Sequence, residues 1–188
     1  METEISAIIR RILSDIRVEL ADEFDQNFER EAFFTQAWQR RKGPIRNTGR
    51  GLLIDTGRLR GSISARISGS SVVFTSDLPY AGIHNDGGEI VVTERMKRWF
   101  WHKYYEASRG MGRRKDGKLR NDARNRQLGA DAEFWKWMAL KKAGTTIRIP
   151  CRRFVGMSPE VDKAVRDIIT ENLEAYFSDL AQDIDPDQ

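Results

Sequence analysis

Tyr80-Ala81-Gly82-Ile83-His84-Asn85-Asp86-Gly87-Gly88 gathers an aromatic ring, a histidine, an Asn-Asp pair and two successive glycines into one short run. Upstream of it, Ser62-Ile63-Ser64-Ala65-Arg66-Ile67-Ser68 alternates with period two, which places Ile63, Ala65 and Ile67 on one face of a strand and Ser64, Arg66 and Ser68 on the other. Gly69-Ser70-Ser71 supplies a turn, and Val72-Val73-Phe74-Thr75-Ser76 returns as a second strand rich in β-formers. Downstream, Glu89 to Thr93 forms another short strand around Ile90-Val91-Val92. The opening run therefore reads as a connector between two sheet segments, with the chain turning at its glycines.

Beyond this centre the periodicity changes. Ile5, Ile8, Ile9, Ile12, Ile16, Leu20, Phe24 and Phe28 recur at spacings of three and four, one stripe of a helix from about Thr3 to Glu31 that is read as core-facing. At the other end, Ser158 stands at an N-cap position and Pro159 at the first helical position. They open a helix with Val161, Val165, Ile168, Ile169, Leu173, Tyr176 and Leu180 inward. The acidic tail from Asp183 to Gln188 is expected to fray.

From Phe33 to Asn47 the pattern lapses, and Gln39-Arg40-Arg41-Lys42-Gly43-Pro44 has the composition of a solvated loop. Trp38 beside it is read as core, with an exposed anchor for another chain as the alternative. In Leu52-Leu53-Ile54-Asp55-Thr56-Gly57-Arg58-Leu59-Arg60-Gly61-Ser62, Asp55 or Thr56 can cap one helical turn that Gly61 ends. Thr145-Thr146-Ile147-Arg148-Ile149-Pro150 alternates as a strand closed by Pro150, and Cys151 after it is expected to pack.

The span Met96 to Gly144 reads as an excursion from the sheet. Met96, Trp99, Phe100, Lys103 and Tyr104 suggest a short aromatic-faced helix, and Glu133 to Lys142 another, with Phe134, Trp137, Met138 and Leu140 as its apolar positions and Gly144 closing it. Between them, Arg109 to Arg126 holds eight bases, two acids and three glycines. So little apolar surface predicts a mobile loop. The fold class expected is α+β: a small antiparallel β-sheet packed by long N- and C-terminal helices, in a single domain 1–188 with a helical, basic insertion at about 96–144.

The balance of 32 Lys and Arg against 28 Asp and Glu leaves +4, a weak pointer to nucleic acid. Its distribution says more. Residues 1 to 31 carry nine acids and four bases, residues 160 to 188 nine acids and two bases, so acidic ends flank a basic centre. The lone Cys151 cannot form an intrachain disulfide, which fits a cytosolic origin. No apolar run approaches the roughly 18 to 20 residues that span a bilayer, and the N-terminus carries acids where a signal peptide has bases, so neither membrane nor export is expected.

Catalytic and metal chemistry find little to build on. His84, His102 and Cys151 barely supply a zinc ligand set. His84, Asp86 and Glu89 resemble a general-base cluster on paper, yet polar residues in a glycine-rich connector are ordinary turn chemistry. No phosphate-cradling loop of the Walker or dinucleotide type is present. The run Arg109 to Arg126 could neutralise phosphates without sequence preference, or meet acidic surface on a neighbouring subunit.

Taken in order, Thr56-Gly57-Arg58-Leu59-Arg60-Gly61-Ser62-Ile63, then Tyr80-Ala81-Gly82-Ile83-His84 with Gly87 and Gly88, then Ile149-Pro150-Cys151-Arg152-Arg153-Phe154-Val155-Gly156, the chain resembles the phage virion morphogenesis (tail completion) family. Members show a Thr-Gly-Arg-Leu-Arg-x-Ser-Ile box, a Tyr-Ala-x-Ile-His box followed by glycines, and an Ile-Pro-x-Arg-x-Phe-x-Gly box before the last helix. The resemblance covers most of the chain; residues 96 to 144 match least.

The resemblance implies a structural protein without enzymatic activity or cofactor. It would be made in the bacterial host cytoplasm and built into the tail or neck of the virion, as a ring, a hexamer, that contacts other tail or neck proteins. Tail completion, tail termination and head completion stay open as its station. In that setting Arg58 and Arg60 would face a neighbour or the tail, Leu59 and Ile63 would pack, and His84 would hydrogen-bond and fix the turn at Gly87 and Gly88. Arg113, Arg114, Lys115, Lys118, Arg120, Arg124 and Arg126 would meet packaged DNA in the lumen or clasp an adjacent tail protein. The alternative is a sequence-nonspecific DNA-binding protein that uses residues 109 to 126.

Overall fold

The computed structural model describes residues 4–41 and 51–184. The readings placed on residues 1–3, 42–50 and 185–188 lie outside these.

Helix α1, Glu4–Arg30, and the last helix, α6, Pro159–Ile184, run antiparallel: Asn172 Nδ2 donates to Asp15 at 3.0 Å, and Tyr176 Oη lies 3.3 Å from Glu4. Ser158 caps α6 as its sequence indicates, its Oγ accepting from the Val161 N–H at 3.3 Å. Ile16, Leu20 and Phe24 of α1 meet Val161 and Ile168 of α6 in one buried cluster with Phe33. The apolar stripe of α1 is thus buried only in its later turns. Ile5 and Ile9 are exposed, although Tyr176 of α6 reaches the first turn of α1 at Glu4.

After α1 come two very short strands, β1 Ala32–Phe33 and β2 Gln36–Ala37, and then α2, the single turn Arg58–Gly61. Gly57, at φ 78°, and not Asp55 or Thr56, occupies the cap position of α2, with no side-chain cap. The expected hairpin is present as β3 Ile63–Ser68 and β4 Ser71–Ser76, with Ala65 opposite Phe74, Ile67 opposite Val72, and Ser71 in the second strand rather than in the turn. Its Val72 and Phe74 pack on the α1–α6 cluster, and the Phe74 ring meets Phe24 edge-on at 4.9 Å.

The connector after the hairpin is not a simple turn. Ala81–Asp86 coil into a short helix, α3, which ends at Gly87 before β5, Gly88–Val91. β5 pairs antiparallel with β6, Thr146–Ile149, Ile90 opposite Ile147. With α3 between β4 and β5, the strands form three separate two-stranded ladders where one small sheet was expected.

Between β5 and β6 lie α4, Glu94–Arg109, and α5, Ala123–Leu140, which pack on each other through Phe100, Met138 and Ala139 with Phe134 and Trp135. Both helices are longer than their apolar spacing predicts. Thr93 caps α4 by accepting from the Met96 N–H, and Asp122 caps α5 by accepting from Asn125. The polar first turns of α5 are helical because that cap starts them, ten residues before the expected Glu133. Gly144, at φ 87°, does not close α5, which ends at Leu140; its N–H donates to Val92 O at 2.9 Å in the turn into β6.

Candidate functional site

The three sequence boxes converge on the segment that follows β6. This segment, Cys151 to Val155, has no ladder of its own, so its backbone polar groups find other partners. The Arg152 N–H donates to His84 O at 2.9 Å. Asn85 Oδ1 accepts from Phe154 N and Val155 N, at 3.0 and 3.1 Å. Asn27 Nδ2, on the core side of α1, donates to Phe154 O, while its Oδ1 accepts from the Phe34 N–H at 2.9 Å. Trp38 Nε1 donates to Arg153 O at 2.7 Å, and Arg152 Nε to Gln39 O at 3.0 Å.

Side chains complete the junction. Phe28 is fully buried, 5.0 Å from the Phe154 ring and 5.7 Å from Trp38. Leu59 and Ala81 close the same cluster, and Ile63 packs at its edge, as expected of Leu59 and Ile63. Ser62 Oγ donates to Leu59 O and shares a 2.7 Å hydrogen bond with Ser76. Gly87 is required sterically: at φ 75°, a Cβ there would stand 2.7 Å from Cys151 N. Pro150 ends β6 beside it, and Gly88, at φ 150°, begins β5 against Ile83.

Several expected roles do not hold. Arg60 does not face outward to a neighbour. Its Nε donates to Asp25 at 2.5 Å, and Nη2 pairs with Asp25 and with Glu29 at 2.9 Å, because α2 lies beside the acidic flank of α1. These carboxylates raise the Arg60 pKa, and the guanidinium holds Asp25 below its usual range. Arg58, by contrast, is exposed. Arg153 is exposed too, its guanidinium 5.8 Å from the Phe33 ring centre. His84 does not fix the turn through its ring: Nδ1 is buried with no hydrogen-bond partner, and Gly87 and Asn85 hold the corner instead. Cys151 is exposed rather than packed, its thiol donating to Asn85 O at 3.0 Å.

Thr56, Tyr80 and His84 come together on a cleft of about 270 Å³, whose wall also includes Arg41, Leu53, Asp55, Leu59 and Arg152. The Tyr80 and His84 rings meet edge-on at 6.1 Å. Burial, then Arg152 and Arg41, push the His84 pKa below its ordinary value. Arg152 is only 6 % exposed, and burial followed by Arg41 lowers its pKa, with Glu31 pulling the other way.

The basic run stands apart from this junction, between α4 and α5, and it is ordered rather than loose. Arg113 bridges Leu119, and Arg114 N donates to Lys118 O at 2.7 Å. Asn125, 6 % exposed, accepts from Gly112 N and donates to Gly112 O and Arg120 O. This buried amide, with the hydrogen bonds of Gly117 N to Arg114 O and Arg120 N to Gly112 O, supplies order where apolar contacts are few. Arg113, Arg114, Lys115, Lys118, Arg120, Arg124 and Arg126 all remain exposed.

Sequence reasoning missed Asn27, Asn85, Asn125 and Arg152. Asn27 carried a signal, since it interrupts the apolar face of α1 one residue before Phe28. Among the described residues, no three His, Cys, Asp or Glu side chains gather as a metal site, and no helix is long and apolar enough to cross a membrane. Compared with family models, with curated proteins and with solved structures, the chain matches none of them.

Proposed function

We propose that the chain is a structural protein of phage or prophage virion morphogenesis, acting in tail completion or head–tail joining as a ring at the neck or head-proximal end of the tail. The observation that carries this reading is the convergence of the three boxes. Leu59, Ala81, Gly87 and Phe154 are spent on one internal junction, as expected of a signature that specifies a scaffold. Chemistry directed outward is left to surfaces, and these are of opposite sign: acid-rich α1 and α6 against the basic α4–α5 unit. Exposed Ile5, Ile9 and Phe177 on the former, and Trp99, Tyr105 and Trp137 on the latter, add apolar area of the kind found in interfaces. Two unlike faces on one chain make a head-to-tail contact that can close into a ring.

The experiment is deletion of the gene from a phage or inducible prophage. Heads and tails that accumulate unjoined support the reading, and infectious particles at normal yield overturn it. Sizing of the purified chain, alone and with its tail partner, gives the stoichiometry.

The ordered basic turn favours a second reading, sequence-nonspecific DNA binding. That reading expects affinity that falls steeply with salt and is lost when Arg113, Arg114, Lys115 and Lys118 are replaced by Ser. Unchanged affinity in that variant counts against it.

A further inference from the structure

The cleft between α2, α3 and the segment after β6 holds more positive charge and donor capacity than the fold uses. Arg152 is nine-tenths buried, yet among the described residues its side chain makes one hydrogen bond, from Nε to Gln39 O, and no described carboxylate forms an ion pair with it. A buried cation without a counter-charge is costly unless an anion joins it. Arg41 stands on the same wall, donating to Leu52 O and otherwise facing no described ion-pair partner. His84 Nδ1 is an orphaned buried polar atom beside both arginines, and Tyr80 and Thr56 bring hydroxyls. Two acids oppose this set. Asp55 lies on the cleft wall, and Glu31 acts on Arg152, although its Oε1 is engaged by the Leu52 N–H at 2.8 Å.

We infer that this cleft binds the phosphate group of a small phosphorylated molecule, with the Arg41 and Arg152 guanidiniums as its charged clamp and Tyr80, Thr56 and His84 Nδ1 as further donors. Guanidinium forks match phosphate oxygens, and a pair of them favours a dianion over a monocarboxylate. The volume of about 270 Å³ lies near the lower end of small-molecule sites, and Leu53, Ile54 and Leu59 give it an apolar side for the organic part. The inference is independent of the assembly reading, since a ring component with or without this ligand remains a ring component.

The test is a titration of the full chain with inorganic phosphate, with adenosine monophosphate as a phosphomonoester probe, and with acetate, read by the His84 imidazole resonances and by calorimetry. Saturable shifts with both phosphates, tighter for the monoester, are expected. Arg41→Met should weaken binding about tenfold or more, and Tyr80→Phe by a smaller factor, each with an unfolding midpoint close to that of the parent. Arg152 is unsuited as the only variant because Gln39 depends on it. Three results overturn the inference: no saturable shift with either phosphate in the folded parent, acetate binding as tightly as phosphate, or unchanged affinity in folded Arg41→Met.

Discussion

Asn85 and Phe154 are 69 residues apart in sequence, yet the side-chain oxygen of one accepts the backbone N–H of the other at 3.0 Å, and that of Val155 at 3.1 Å. One amide thereby binds α3 to the segment that leads into α6. Asn85→Ala would leave both N–H groups without a partner, and a loss of about 2–3 kcal/mol in unfolding free energy is expected. Asn85→Asp keeps the acceptor and should recover much of that loss. Chemical denaturation of the two variants decides it, and equal losses would mean that the hydrogen bonds do not hold the junction.

Gly87 and Gly69 separate two reasons for a glycine. Both have positive φ, 75° and 59°, but a Cβ on Gly87 meets Cys151 N at 2.7 Å while one on Gly69 meets nothing within 4 Å. Gly69→Ala should cost about 1–2 kcal/mol, the price of the left-handed backbone alone. Gly87→Ala should cost about 2 kcal/mol more, because α3 and the end of β6 must part. Similar midpoints for the two variants would contradict the close approach.

The order of the basic turn hangs on Asn125. Asn125→Ala should raise tryptic cleavage at Arg113 to Arg120 and speed amide exchange at Gly112 and Arg120, while the main unfolding transition moves little. If cleavage stays as in the parent, the turn is held by something else.

Burial of neutral His84 gives stability a pH dependence. Its folded pKa lies below the ordinary 6.5, so between these values the unfolded chain binds the proton and the folded chain does not. Stability is full above pH 6.5 and falls as the pH drops towards the folded value, with a slope of at most about 1.4 kcal/mol per pH unit. His84→Gln should flatten that part of the profile. A parent and a variant with parallel profiles from pH 7.5 to 5.5 would remove His84 as the cause.

Arg60 and Asp25 form a two-pronged pair, but their side chains are 27 % and 43 % exposed. Solvent screening limits such a pair to about 1 kcal/mol or less at moderate salt. Because the folded pKa of Asp25 is depressed below 3.8, this contribution is present at neutral pH and lost as the pH falls through that folded value. A double-mutant cycle with Arg60→Gln and Asp25→Asn measures it, and zero coupling would contradict the pair.

What could be read beforehand was what repeats locally. The three-and-four spacing of Ile16, Leu20 and Phe24, the alternation of Ile63, Ala65 and Ile67, and the Ser158-Pro159 opening of α6 each reflect one element's own geometry, and each element was found, although Ile67 is exposed where a half-buried face was expected. The first turns of α5 were missed because Asp122 starts them without apolar residues. The basic turn was misjudged because its order comes from hydrogen bonds, those of Asn125 and of its own backbone, and not from apolar burial. The site was harder still. Arg152, Asn85 and Asn27 matter through partners dozens of residues away, and periodicity carries no record of such contacts.

The Val92 N–H donates to Thr145 O at 2.8 Å, and Val92 O accepts from Gly144. The polypeptide therefore leaves the body and re-enters it through a single doorway, with Val92, 1 % exposed, as its sill. Everything from α4 through α5 hangs from that doorway as an appendage with a small core of its own. Joining β5 to β6 by a short turn would leave a plain hairpin. The reach and charge of the appendage are thus open to grafting or trimming without rethreading the remainder of the chain.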